Sequence, residues 1–286
     1  MPEPPKHISH SARETLERCA KSYFLGRIAG APKRPALWLA GGSAVHETTE
    51  FYDLWTLTEP GPRGEERGFS ASDIWNEQFD AQLEKIRAKE PNENVWRRSQ
   101  SEDIKRWRVM GLQFVQSYID WRERSPWEIW TAPDGEPAIE LDVSGRLPGC
   151  PVEIKAFLDR VFYDPVFKKT WIVDLKTSKR PPKTAAQFQT YAALMQVKYG
   201  ITPECGVPFM NRLGTVGKPF DLAEVTPKSV GNVYGDAWKQ IQGGVFPANG
   251  FPGECFICDV QAACVKQNGP LAAQYDPDHP NYQPPF

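Results

Sequence analysis

Three of the six cysteines fall within ten residues, at Cys255, Cys258 and Cys264 in the stretch GECFICDVQAAC. The spacing C-x2-C-x5-C packs three thiols into one short segment, and a metal or cluster held there requires a fourth ligand. The other cysteines, Cys19, Cys150 and Cys205, all lie upstream. From Phe246 onward the chain is rich in Pro, Gly and Cys. Clustered thiols in a reducing compartment read as metal ligands before disulfides.

The remaining composition bounds the answer. With 286 residues, 40% hydrophobic and 24% charged, the chain can bury a core without covalent staples. The formal charge of −2 excludes a global basic field, but not local basic stripes. No apolar run approaches the ~20 residues that span a bilayer. The N-terminus, MPEPPKHISHS, has no hydrophobic signal core, so a cytoplasmic location without membrane partners is expected.

SARE at Ser11 to Glu14 reads as a capping box for a helix through ETLERCAKSYFLGRI, with Leu16, Cys19 and Tyr23 on one face. Ser43 is a candidate N-cap for a helix that follows two glycines in GGSAVHETTEFYDLW. Gly61 to Gly68 reads as a turn-rich linker. Two amphipathic helices follow, one from Ser72 to about Lys89 and one opened by a capping box at Ser99 to Glu102. PAIELDVSGRL, PVEIKAFLDRVFYD and KKTWIVDLKTS then predict three consecutive antiparallel strands. KTAAQFQTYAALMQVKYG predicts a helix capped by Gly200, CGVPFMNRL a strand, and PKSVGNVYGDAWKQIQGG a last helix.

The chemistry concentrates in those strands. On adjacent strands Asp159 and Asp174 lie side by side, and Asp174 and Lys176, two apart, share a face. Two carboxylates suit a hard divalent cation, which acidifies water and stabilises charge on a phosphoryl oxygen. A lysine beside them orients water or neutralises the phosphate. A lone D-x-K also arises often by chance, at a strand end with a surface lysine. Gln187 and Tyr191 stand at i and i+4 on the next helix and share a face. His46, after small residues, offers an imidazole, which favours Mn over Mg.

Taken in order, CAKSYFL, GSAVH, LDRV, IVDLKTSK, QFQTYA and CFICDVQAAC resemble the RecB-type branch of the PD-(D/E)XK nucleases. The resemblance is to its iron–sulfur exonucleases, which include the CRISPR-associated adaptation nuclease and the AddB nuclease domain, and it runs from Cys19 to Cys264. It implies that Cys19 joins Cys255, Cys258 and Cys264 around a 4Fe-4S cluster, stapling the chain ends. It implies that His46, Asp159 and Asp174 hold Mn2+ or Mg2+, with Lys176 as catalytic lysine and Gln187 and Tyr191 completing the catalytic set. Cys19-Ala20 stands where the family often has Cys-Pro, and Ala156 where it often has Gly. Sulfur-only ligation by itself suits zinc as well as an iron–sulfur cluster. Cys150 and Cys205 remain unassigned.

The expected fold is therefore α/β (α+β), a restriction-endonuclease-like core with a central mixed sheet flanked by helices. It would form a single nuclease domain over 1–286, with a helical insertion at 70–125 and a cysteine-rich segment at 246–286 that closes the cluster. The expected activity is metal-dependent exonuclease cleavage of DNA, on single-stranded or free ends, in recombination, repair, phage replication or CRISPR adaptation. Proteins of recombination or CRISPR adaptation are the candidate partners. The alternative is a non-catalytic iron–sulfur or zinc nucleic-acid-binding protein that keeps the fold. Lys176, Lys179, Arg180 and Lys183 supply positive charge beside the site, and Arg97, Arg98, Lys105, Arg106 and Arg108 form a second basic stretch. Trp96 and Trp107 are aromatic candidates for base stacking or for the core.

Overall fold

The structure, a computed structural model, describes residues 5–58, 68–99 and 101–283. Residues 61–67 of the expected linker lie outside the described residues. A short strand, β1 (His7–Ser9), leads into α1 (His10–Arg18). Its cap is Ser9, whose Oγ accepts from Ala12 N at 3.2 Å, so the helix begins before the Ser11 box. Nor does it run on to Ile28. At Cys19 the backbone becomes extended (φ −157°, ψ 104°), and a new turn, α2 (Ala20–Tyr23), starts after it. Cys19 is thus a break between helices, held there because Ala20 N donates to Asn249 Oδ1 and Lys21 N to Pro247 O, both on the C-terminal tail.

The next helix, α3 (Leu37–Thr58), runs straight through the two glycines expected to precede it, so Ser43 is not its cap. A Cβ on Gly41 would sit 2.2 Å from the Trp107 ring; the glycine is there for close helix packing. Ser70 caps α4 (Ala71–Arg87) through Asp73 N. α5 (Ile104–Arg124) is capped by Asp103, whose Oδ1 accepts from Arg106 N at 2.8 Å. The box expected at Ser99 to Glu102 gives way because Glu102 turns its carboxylate to Lys179 and Arg212 instead.

The sheet strands are β2 (Glu128–Ile129), β3 (Ile139–Asp142), β4 (Glu153–Lys155), β5 (Phe157–Asp164) and β6 (Lys169–Lys176). After α6 (Ala186–Tyr199) come β7 (Cys205–Met210), β8 (Thr215–Val216) and β9 (Phe220–Asp221), then α7 (Pro227–Gly243), α8 (Pro252–Phe256) and α9 (Ala272–Tyr275). Gly200 takes φ 70° to end α6, as its position predicts. The main sheet runs β2-β5-β6-β7-β8, with β3 also on β5 and β9 also on β7, while β1 and β4 pair separately. β5 and β6 form an antiparallel hairpin; β6 and β7 are parallel, joined by the α6 crossover.

Helices cover both faces. Leu158, Val161 and Ile172 enter a core shared with α1, α6 and α7, whereas Phe162, Val173 and Leu175 enter one shared with α3, α4 and α5. This is a mixed α/β fold with a central mixed sheet between helical layers, as expected. Trp96 and Trp107 are buried in the second core, so neither offers a face to a base. Arg97 donates to Arg34 O and Ile257 O and lies over the Trp38 ring, and Arg108 pairs with Asp80 and Asn76.

Candidate active site

The β5–β6 register sets Arg160 opposite Val173, which places Asp159 beside Asp174 one step further along the hairpin. Asp159 Oδ2 accepts the Leu175 amide at 2.6 Å. On the same face, Lys176 Nζ lies 2.5 Å from Asp174 Oδ2. Gln187, in the first turn of α6, joins them: its Oε1 accepts from Lys176 Nζ at 3.0 Å, and its Nε2 donates to Asp174 Oδ1 and to the Tyr191 hydroxyl, both at 2.8 Å. One amide orientation satisfies all three contacts. The six-residue set expected around the D-x-K strand is brought together, except that His46 reaches it from α3.

His46 stands over the hairpin, its Nε2 3.1 Å from Leu175 O and its Nδ1 3.5 Å from Asp159 Oδ1. A further carboxylate, Glu140 of β3, comes within 3.9 Å of the same nitrogen. Ligand atoms of His46, Glu140 and Asp159 all lie within 4.8 Å of one another, a donor set that fits a divalent cation. Asp174 stands outside this triad, its carboxylate claimed by Lys176 and Gln187. Glu140 escapes sequence reasoning because it is one polar residue of an alternating strand, and only the pairing of β3 with β5 reveals its neighbour. Its backbone sits at φ 48°, a strained value for a non-glycine residue and one that gathers at functional sites.

Beneath the triad lies a buried charge network. Asp53 of α3 accepts from Arg160 Nε at 2.6 Å, Arg122 Nε at 3.1 Å and the Tyr118 hydroxyl at 2.6 Å. Arg160 also reaches Glu140 at 3.3 Å. The network ties the helix that carries His46 to the strand that carries Asp159.

Crowded carboxylates drive the site's protonation apart. Burial works against charge on His46, but the Asp159 and Glu140 carboxylates outweigh it and push the imidazole up to about 9. Burial, reinforced by the Asp159 charge, raises Glu140 to about 7. Burial raises Asp174 to about 6 against the opposing Lys176 ammonium. Asp159 goes the other way: despite burial, its pairing with His46 holds it below the usual carboxylate range. His46, Glu140 and Lys176 line a groove of about 750 Å³, whose walls also include Trp38, Glu102, Lys179 and Arg212.

A second constellation lies at the chain ends. Cys19, Cys255, Cys258 and Cys264 line one small cavity, while Cys150 and Cys205 lie elsewhere. Gly250 borders it, and a Cβ there would sit 3.4 Å from Cys255 Sγ and 3.6 Å from Cys19 Sγ. Four thiols converging from two ends of the chain are a donor set that fits a soft metal centre. The ends are also joined by charge: Lys21 Nζ, 3% exposed, lies 2.9 Å from Asp276 and 2.7 Å from Asp278.

Among the described residues, no helix is long and apolar enough to cross a membrane. Residues 7–265 match the family described as the PD-(D/E)XK nuclease superfamily. The chain is similar to the Gene 69 protein of Mycobacterium phage D29, with 29% identity over 265 residues covering 86% of this chain and 92% of that one. It is equally similar to the Gene 69 protein of Mycobacterium phage L5, with 29% identity over 275 residues and the same coverage. The crystal structure of SSO0001 aligns at a TM-score of 0.37 with 11% identity, covering 77% of this chain and 95% of that one.

Proposed function

The chain belongs to the PD-(D/E)XK nuclease superfamily, and from that premise we propose that it is a divalent-metal-dependent exonuclease acting on the ends of single-stranded DNA. The observation that carries this reading is the Asp174–Lys176–Gln187 cluster beside the His46–Glu140–Asp159 triad, with His46, Glu140 and Lys176 at the wall of one open groove. His46, Glu140 and Asp159, with Asp174 beside them, would hold the cation. When bound, it supplies Lewis acidity to the phosphodiester and lowers the pKa of water.

The protein's own groups do the rest. Lys176, whose ammonium Asp174 favours over the cost of burial, neutralises charge that builds on the phosphate. Gln187 fixes both Lys176 and Asp174. Tyr191, kept neutral by burial and the nearby carboxylates, holds the Gln187 amide in that orientation. Lys179, at the groove wall, supplies charge for the substrate backbone.

The four-cysteine cavity is proposed to carry a 4Fe-4S cluster with a structural role, since hydrolysis transfers no electrons. The phage origin of the Gene 69 relatives supports a place in phage replication or recombination in the host cytoplasm.

The test is cleavage of end-labelled single- and double-stranded DNA, and of circular single-stranded DNA, with Mn2+, Mg2+, Ca2+ or EDTA. Progressive shortening of linear single strands in Mn2+, at least as fast as in Mg2+ and absent in Ca2+, is expected. Equal cutting of circles would make the enzyme an endonuclease, and no cutting in any ion would overturn the catalytic reading.

A further inference from the structure

Arg212 shares the groove wall with the catalytic residues and is built firmly into place. Its Nε donates to Thr177 O at 2.7 Å, next to Lys176 in the chain. Its guanidinium lies over the Phe114 ring at 4.9 Å and the Trp107 ring at 6.0 Å. The preceding residue, Asn211, donates its amide to Lys176 O at 3.0 Å, so Arg212 is tied to the catalytic strand by backbone. One edge of the guanidinium faces Glu102 at 3.4 Å, and Lys179 Nζ meets the same carboxylate at 2.9 Å.

Glu102 comes from the turn before α5, not from the catalytic strands, yet it is buried in the groove wall. One anionic group with two oxygens, shared between a stacked guanidinium and an ammonium, reproduces the charge pattern of a bound phosphate. The function of two cations beside a nuclease centre is otherwise cancelled by this carboxylate. We propose that Arg212 and Lys179 form a second phosphate subsite, for a backbone phosphate beside the one being cleaved, and that Glu102 occupies it until the DNA strand displaces it. This rests on the nucleic-acid substrate proposed above.

Two probes separate the subsite from that substrate. The first is inorganic phosphate, added to the full chain in EDTA while the melting temperature is followed. Glu102→Gln should gain more stabilisation from phosphate than the wild type, and Lys179→Gln in that background should erase the gain. Lys179 is 62% exposed, so its replacement does not threaten folding. The second probe is fluorescein-labelled oligo(dT) in EDTA, followed by anisotropy across a salt series. Glu102→Gln should tighten binding about fivefold, the upper end for an accessible ion pair. Lys179→Gln should flatten the log–log salt slope by about 0.7, one phosphate contact on a single strand. Glu50→Gln, also in the groove, controls for bulk charge. An equal gain in Glu50→Gln, or Glu102→Gln binding both probes like the wild type, overturns the subsite. A phosphate gain in Glu102→Gln without DNA binding by any variant keeps the subsite and removes the DNA substrate.

Discussion

Asp174 takes a hydrogen bond from Gln187 and the charge of Lys176, while Asp159 takes the Leu175 amide and faces His46. The two carboxylates therefore have different jobs within one site. Replacing either with Ala should cut cleavage by at least ~10³-fold, the several kcal/mol that a metal-held charge supplies to phosphoryl transfer. Lys176→Ala should lose most activity yet keep Mn2+ binding by calorimetry, and wild-type rates in all three variants would dismiss the assignment. Protonation gives a second test. His46, Glu140 and Asp174 are all raised, to about 9, about 7 and about 6, so without metal each contributes stability that fades as pH rises through its folded-state value. The EDTA-treated protein should lose melting temperature from pH 6.5 to 9 through His46. Cation binding requires the neutral imidazole and the ionised carboxylate, so Mn2+ should stabilise more at pH 8 than at pH 6. A Mn2+ shift that shrinks with rising pH would refute His46 and Glu140 as ligands.

Helix α5 approaches its neighbours through glycines rather than through a smooth apolar stripe. A Cβ on Gly111 would lie 2.1 Å from the Trp75 ring of α4, and Gly41 of α3 faces Trp107 of α5 in the same way. In an exposed helix, Gly→Ala stabilises by about 1 kcal/mol. Here overpacking costs about 1–3 kcal/mol and should win, because Trp75 is fully buried and its Nε1 is tied to Arg108 O at 2.9 Å. Gly111→Ala should thus lower the urea midpoint at unchanged m-value; a raised midpoint would mean that Trp75 can swing aside. The periodicity of Ile104, Trp107, Phe114 and Tyr118 made the helix legible. It could not reveal that glycines set the spacing, since that depends on which ring a partner helix presents.

Across the molecule, the N-terminal segment and the tail meet around four thiols and around Lys21 with Asp276. Protein purified without oxygen should be brown, with broad absorption near ~400 nm and about four irons per chain. Cys19→Ser, Cys255→Ser, Cys258→Ser or Cys264→Ser should bleach it and lower the melting temperature, because metal binding and folding are coupled. Cys150→Ser and Cys205→Ser should do neither. A colourless anaerobic preparation with stoichiometric zinc would replace iron and leave the four-cysteine link standing. Colour retained in Cys19→Ser would break the link itself.

Local patterning determined β3, β5 and β6, α6 with its Gly200 cap, and the Asp159, Asp174, Lys176, Gln187 and Tyr191 cluster, although the stretch expected as one strand over PVEIKAFLDRVFYD breaks at Ala156 and its first part, β4, pairs in parallel with β1 instead. Strand period and i, i+4 spacing place those side chains on common faces before any long-range contact forms. Tertiary structure decided what lies between distant segments. It broke the first helix at Cys19, because tail residues Pro247 and Asn249 capture the amides that a continuous helix would use. It drew Glu140 beside His46, because only the β3–β5 pairing and a positive φ aim that carboxylate inward. It turned Glu102 from a capping residue into the partner of Arg212, 110 positions away, because a guanidinium stacked on Phe114 and Trp107 favours a carboxylate more than a helix end does.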